Sequence, residues 1–326
     1  MIHLLILLAA LGLDRLVGDP DWLWRRYPHP VVWFGKAIGF ADRRLNHASD
    51  APQVRRRKGK YAIAGLLAAA VAAGVLLDWG FGSLGFVGLA LEVGVVAVLL
   101  AQKSLSDHVR AVAVALRTEG LPGGRRAVSM IVGRDPEQLD RAGVSRAAIE
   151  SLAENFSDGI VAPALWYALA GLPGLFAYKM LNTADSMIGH LNDRYRDFGR
   201  AAAQLDDVAN LPASRLSALL IAFGALRMAG PGAAMAALGA ARRDAGLHRS
   251  PNAGWPEAAM AAALGVVLAG PRSYGGVRVQ EASLNGSGRS SVDVADIENG
   301  LQIYGRACDG LALLVLLASI TIIISN

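Results

Sequence analysis

The 326-residue chain holds one cysteine, Cys308, which excludes an internal disulfide framework and a multi-thiolate metal site. Cys308 reads as a packed, inert thiol. Aromatic residues make up only 6% and charged residues 18%, against 53% hydrophobic. Charge that sparse is too little for an ordinary soluble domain, where about a quarter of residues are charged. Also missing are a Walker A loop, a nucleophile elbow, a zinc-spaced His/Cys set and a kinase signature, so any nucleotide must be held by a non-standard site. Gly80-Phe-Gly82-Ser-Leu-Gly85 has the spacing of a dinucleotide fingerprint, but no strand precedes it. No internal repeat is evident. The net charge of +5 does not indicate nucleic acid. The densest basic run, Arg55 to Lys60, has no interleaved aromatics and stands directly ahead of an apolar stretch, where juxtamembrane charge belongs.

What is there is long apolar sequence. The composition predicts an all-α integral membrane protein, a multi-helix bundle with re-entrant or broken helices and cytoplasmic helical loops, in a single helical membrane domain over 1–326. Membrane spans are expected near 2–13, 61–77, 83–101, 211–233 and 310–324, with a short apolar helix at 258–268. Residues 2–13 lack a basic lead and a persuasive cleavage site, and read as a retained, short first helix rather than a signal peptide. Ser104 to Arg117 is amphipathic, and Leu121-Pro-Gly-Gly124 is expected to break it. Residues 271–291 are polar, glycine-rich and without periodicity, and read as a mobile surface loop. Glu92 falls inside an apolar run, where an ionisable group is either a functional candidate or a hydrogen bonder within the bundle.

Against this background, Ser145 to Asn210 stands out. If Ser145 to Asp158 is helical, Glu150, Glu154 and Asp158 fall at i, i+4 and i+8 on one stripe, beside Ser151 and Asn155. Like charges at that spacing repel, so a cation is implied. The span 159–178 is apolar but broken at Pro163 and at Gly171-Leu-Pro-Gly174. A full crossing would put the stripe and the polar segment after it on opposite membrane faces, whereas a re-entrant or broken hairpin puts both on one face. Beyond it lie Asp185, His190, Asp193, Asp197, Asp206 and Asp207, with Lys179, Arg194, Arg196, Arg200 and Arg215 nearby. Hard oxygen donors suit Mg²⁺ bound together with substrate phosphates, and arginines can hold phosphate bidentately. The bland alternative is a solvated loop of ordinary ion pairs. His190 is either a general base or a hydrogen-bonded scaffold residue. Arg134 and Asp135, in a glycine-proline turn, are either a cap or part of a site. The Trp-rich loop around His29 and Trp33 is either an interfacial anchor or a site wall.

Taken together, Asp14-Arg-Leu-Val-Gly-Asp-Pro, Pro28-His-Pro-Val, Ile131-Val-Gly-Arg-Asp, Glu150-Ser-Leu-Ala-Glu-Asn-Phe-Ser-Asp-Gly, Asn182-Thr-Ala-Asp-Ser-Met, Leu205-Asp-Asp-Val-Ala-Asn and Pro251-Asn-Ala-Gly-Trp-Pro-Glu-Ala closely resemble the adenosylcobinamide-phosphate synthase family of cobalamin biosynthesis. The resemblance runs from about Asp14 to Tyr274, and the last fifty or so residues carry no motif of that family. It implies an integral enzyme of the cytoplasmic membrane that joins aminopropanol, or its phosphate, to a propionate carboxylate of adenosylcobyric acid, an acid-amine ligation using ATP and Mg²⁺.

Under that resemblance Glu154, Asp158, Asp185 and Asp206 or Asp207 hold Mg²⁺ and nucleotide phosphates. Arg134, Lys179, Arg194 and Arg196 hold phosphates, while Asn155, Asn182 and Asn252 orient substrate. Glu150 or His190 takes the amine proton, and His29, Trp33 and Trp255 form the wall against the corrin. Membrane lipid is a partner, nucleic acid is not, and a homo-oligomer or contacts with other corrinoid-pathway membrane enzymes stay open. The rival readings are a Mg²⁺-dependent membrane prenyltransferase, for the Asp-rich Asn192-Asp-Arg-Tyr-Arg-Asp197, and a transporter, for intramembrane Glu92, Arg215 and Arg227. The motif loops and the Arg43 to Lys60 segment are expected on the cytoplasmic side, with the amino terminus outside.

Overall fold

The structure, a computed structural model, describes residues 2–133, 136–270, 272–274, 277–279 and 282–325. Thirteen α-helices follow one another among these residues: α1 (Ile2–Val17), α2 (Asp21–Trp24), α3 (Pro30–Leu45), α4 (Pro52–Gly82), α5 (Phe86–Leu99), α6 (Gln102–Thr118), α7 (Gly120–Val128), α8 (Arg141–Phe156), α9 (Ala162–Ile188), α10 (Arg200–Ala229), α11 (Pro231–Asp244), α12 (Gly254–Leu264) and α13 (Val294–Ser325). Five helical runs are long and apolar enough to cross a membrane: Pro52–Gly82, Phe86–Thr118, Arg141–Ile188, Arg200–Ala229 and Val294–Ser325. The chain is therefore an all-α multi-pass membrane protein, as its composition requires.

The boundaries differ from the sequence expectation in instructive ways. α1 is a 16-residue helix and falls outside the five runs. The expected spans at 61–77 and 310–324 are the apolar parts of much longer helices, because the polar residues preceding each keep helical geometry. The expected break at Leu121-Pro-Gly-Gly124 falls earlier, at Gly120 with φ +69°, and Pro122 sits in the first turn of α7, where its missing N–H costs nothing. The helix expected at 258–268 is α12, which stops at Leu264 on left-handed Gly265. Nor is the 271–291 segment without regular structure. β1 (Leu268–Ala269) pairs with β4 (Ser283–Leu284), and β2 (Arg272–Tyr274) pairs with β3 (Val277–Val279), both antiparallel.

The chain divides into two compact units. The first comprises 1–101, 162–210 and 315–326, and the second 102–161 and 211–314. In the second, α8 is buried along most of its length: Val144, Ala147, Ile149, Leu152, Ala153 and Phe156 are fully inaccessible. So buried a helix is a core about which others pack, and α6, α7 and α12 do so.

In the first unit α4 and α9 pack most extensively. They approach so closely at Gly74 that an added Cβ would lie 2.5 Å from Pro173 Cα. The break expected in 159–178 is real. Ala170 and Gly171 leave helical geometry, with φ +60° at Gly171. The chain reverses there: a Cβ on Gly174 would lie 2.4 Å from the Trp166 carbonyl oxygen, whereas eight residues of straight helix span about 12 Å. Both limbs reach one short stretch of α10, since Trp166 Nε1 donates to Ala209 O at 3.2 Å and Tyr178 Oη donates to Asn210 Oδ1 at 2.9 Å. α9 is thus a helical hairpin with its tip at Gly171.

Candidate functional site

The residues singled out in the sequence fall in both units. In the first, the C-terminal limb of α9 and the start of α10 bring three carboxylates together. Asp185 comes from the limb's last turn, and Asp206 and Asp207 are adjacent on α10. Asp206 interacts electrostatically with Asp185 and Asp207, and Asp185 with Asp207 and His190. Tyr178 Oη donates to Asn210 Oδ1, and Asn210 Nδ2 in turn donates to Asp206 Oδ2 at 2.9 Å. Asn182 also interacts with the Asp206 side chain. Asp206 is 7% exposed, yet its other oxygen, Oδ1, is buried with no hydrogen-bond partner. A buried carboxylate oxygen without a partner carries an unmet desolvation cost that a bound cation removes. Gly189 closes the limb: its N–H donates to Asp185 O at 2.7 Å, and a Cβ there would meet the Asp185 carboxylate. Lys179 is half-buried on the same limb, and His190 is exposed beside Tyr195.

The neighbouring acidic segment is built differently. Asp197 is 4% exposed and paired with Arg56 at 2.7 Å. Asp42 takes the Arg194 guanidinium at 2.7 Å, and this bond holds the Arg194 pKa above its ordinary value. Asn46 donates to Asp42 Oδ1 and to Arg194 O, and accepts from Arg55 Nε, while a second Arg55 nitrogen donates to Asp193 O. Arg194, expected on phosphate, is thus engaged with Asp42, whereas Arg196 is exposed. The Asp-rich stretch reads as a strap tied to the start of α4, not as a diphosphate site. Sequence reasoning missed Asp42 and Asn46, although their i, i+4 spacing was visible. His29 caps α3 by accepting from Val31 N at 3.2 Å and lies 3.6 Å from Asp19, while Trp33 is 64% exposed.

In the second unit, α8 carries the acidic stripe only in part. Glu150 and Glu154 keep α-helical spacing, but Ser157–Val161 forms a π-helical turn. The wider turn moves Asp158 out of the i+8 register the sequence implied. Glu154 and Asn155 are exposed and Asp158 half-buried. Glu150 is 5% exposed and accepts the Ala269 N–H at 2.8 Å, tying β1 to α8. Asn155 donates to Ser151 O, and Ser151 Oγ donates to Ile131 O. Arg134 and Asp135 lie outside the described residues. Asn252, 6% exposed, accepts from Ser214 Oγ and from Arg215 at 3.0 Å, and Arg215 stacks over Trp255 at 4.8 Å. Trp255 is thereby held by a cation on its face, about 1 kcal/mol in such pairs.

The fold and these clusters define a class: a multi-pass helical membrane protein with polar sites built at helix ends and around a helical hairpin. A family profile described as "CobD/Cbib protein" matches residues 7–304, and the chain belongs to that family. The match extends past Tyr274 and takes in β4 and the first part of α13. Relatives named "Cobalamin biosynthesis protein CobD" include those of Sinorhizobium fredii, 62% identical over 308 residues covering 94% of each chain, Brucella anthropi, 56% identical over 98% of each, and Rhodobacter capsulatus, 44% identical over 97% of each. No solved structure matches the chain significantly.

Proposed function

We infer that this chain works in cobalamin biosynthesis, joining aminopropanol or aminopropanol phosphate to the propionate carboxylate of adenosylcobyric acid in the cytoplasmic membrane. The observation that carries this reading is the family match over nearly the whole chain, with relatives named for that pathway. Amide formation from a carboxylate requires an activated acyl group, most simply an acyl phosphate formed from ATP. The amine nitrogen then bonds to the acyl carbon, phosphate leaves, and the amine gives up a proton.

The oxygen-only donor set at Asp185, Asp206 and Asp207, with the unpartnered Asp206 Oδ1, fits Mg²⁺. When bound, the ion would neutralise phosphate charge as it develops. Asn210 holds Asp206 Oδ2, so that Oδ1 stays available. Lys179 and Arg196 supply positive charge for phosphate oxygens. His190, exposed at the end of the hairpin limb, takes the amine proton, with Glu150 the alternative. Trp33 and His29, in the same unit, contact the corrin, while Glu154, Asp158, Asn155, Asn252 and Trp255 belong to the second unit.

The test is conversion of adenosylcobyric acid by membranes containing the protein, with ATP omitted in parallel. Amide product with ADP release is expected, falling more than 100-fold in Asp185→Asn and Asp206→Asn, in line with losing a charged group that acts on the transition state. Wild-type rates in both variants would remove the cluster from the mechanism. Prenyl transfer, or uptake into vesicles without chemistry, would overturn the ligation itself.

A further inference from the structure

At the opposite end of α4 from Arg55 to Lys60, the first unit holds a second group of ionisable residues that the ligation does not use. His3 comes from the first turn of α1, Asp78 from the last turn of α4 and Glu92 from the middle of α5. One ligand atom from each lies within 4.8 Å of the others. All three line a cavity of about 310 Å³ whose other walls include Ile6, Phe81 and Leu89, and among the described residues no lysine or arginine lines it. Two carboxylates facing each other in an apolar cavity without a basic residue repel, and a cation offsets that repulsion.

The three side chains are also held in place. Tyr167 Oη, fully buried on the entry limb of the α9 hairpin, donates to Glu92 Oε1 at 2.7 Å. The His3 ring lies 5.6 Å from the Tyr167 ring and against Gly171, where an added Cβ would come within 3.0 Å of it. The turn between α4 and α5 is equally tight, since a Cβ on Gly88 would meet the Phe81 carbonyl oxygen. Outer hydrogen bonds that orient ligating groups are a regular feature of metal sites. Burial grades from exposed Asp78 through half-buried His3 to buried Glu92, so the group is open on the Asp78 side.

We propose that His3, Asp78 and Glu92 form a binding site for a first-row divalent transition ion of the Zn²⁺ type, with a fourth position open to the cavity. An imidazole nitrogen with two carboxylate oxygens suits Zn²⁺, whereas Mg²⁺ prefers oxygen alone. Tetrahedral donors about 2.1 Å from an ion stand about 3.4 Å apart, so rotations of about an ångström at the ligand atoms complete the site. Bound there, the ion cross-links α1, α4 and α5 beside the hairpin tip, remote from the Asp185 and Asp206 cluster.

The test uses full-length protein in detergent without a polyhistidine tag, stripped with chelator and titrated with Zn²⁺ by calorimetry and with Co²⁺ by visible ligand-field absorption. One equivalent should bind, with Zn²⁺ raising the melting temperature. His3→Ala and Glu92→Gln should each weaken binding at least tenfold and abolish the melting shift, and Tyr167→Phe should weaken it about tenfold. Asp185→Asn should bind as wild type does. Glu92→Gln keeps an acceptor for Tyr167, and the metal-free melting temperature of each variant reports whether it folds. If Glu92→Gln fails to fold, His3→Ala at the chain's start decides. No saturable binding to the wild type, or unchanged binding in folded His3→Ala, would overturn the site.

Discussion

A hydrogen-bond chain decides which oxygen of Asp206 is left over. Tyr178 Oη donates to Asn210 Oδ1, so the amide must present Nδ2 to Asp206 Oδ2. Without the tyrosine hydroxyl the amide can turn its oxygen toward the carboxylate, which repels it. Tyr178→Phe keeps the ring and removes only the donor, so it should lower the rate of amide formation about tenfold, the worth of one hydrogen bond of about 1.4 kcal/mol. Activity unchanged by this variant would mean that Asn210 needs no orienting. Asp244 sets a second test, of stability. Burial alone would raise its pKa, but two hydrogen bonds from Arg243 and one from the Asn285 N–H outweigh it and hold the pKa below its ordinary value. A depressed carboxylate contributes stability above its unfolded pKa, near 3.9, and loses it as pH falls through the folded value. Asp244→Asn should therefore cost about 1–3 kcal/mol at pH 7, a gap that closes below about pH 4. A gap independent of pH would show that its charge contributes nothing.

At the scale of elements, the sequence revealed more than the composition alone could. Apolar length pointed to four of the five runs, and Gly171-Leu-Pro-Gly174 marked the hairpin tip because only a residue tolerant of positive φ can turn there. What stayed hidden was register. Nothing in Ser157-Asp-Gly announces a π turn, so the stripe that ideal α spacing drew through Asp158 was drawn one turn too far. The site was legible as a set of residue types, Asp185, Asp206 and Asp207 among them, but not as a geometry. The strap of Asp193 to Asp197 looked equally acidic until Arg55, Arg56 and Asp42 were placed against it. Gly74 was likewise invisible as a contact. Gly74→Ala puts a methyl group against Pro173 backbone, which cannot yield as a flexible side chain would, and overpacking of this kind costs about 1–3 kcal/mol. Gly65, on the same helix, has open space where its Cβ would be, so Gly65→Ala should be neutral or stabilise by up to about 1 kcal/mol. A lower melting temperature in detergent for Gly74→Ala alone is the expected result, and equal shifts in both would place the α4–α9 contact elsewhere.

For the whole molecule, the open question is which way it sits in the membrane. α4 answers it most directly, because its 31 residues span about 46 Å, more than the roughly 30 Å of hydrocarbon a helix must cross. Its two ends differ sharply in charge. Arg55 to Lys60 stand at one, and Asp78 is near the other. Positive residues close to a span favour the cytoplasmic side, which predicts that this end of α4 is the cytoplasmic one, and Arg55 also holds the strap at Asp193 and Arg194 to it. Ala51 and Ser83 flank the helix and both are exposed, so cysteines placed there report the two sides. The single native thiol, Cys308, is buried, and Cys308→Ala gives a silent background. A membrane-impermeant maleimide applied to intact cells should label Ser83→Cys at once and Ala51→Cys only after permeabilisation. Labelling of both from the same side would mean that α4 does not cross. The reversed pattern would place the carboxylate cluster outside the cell, away from ATP, and the ligation would fall with the topology.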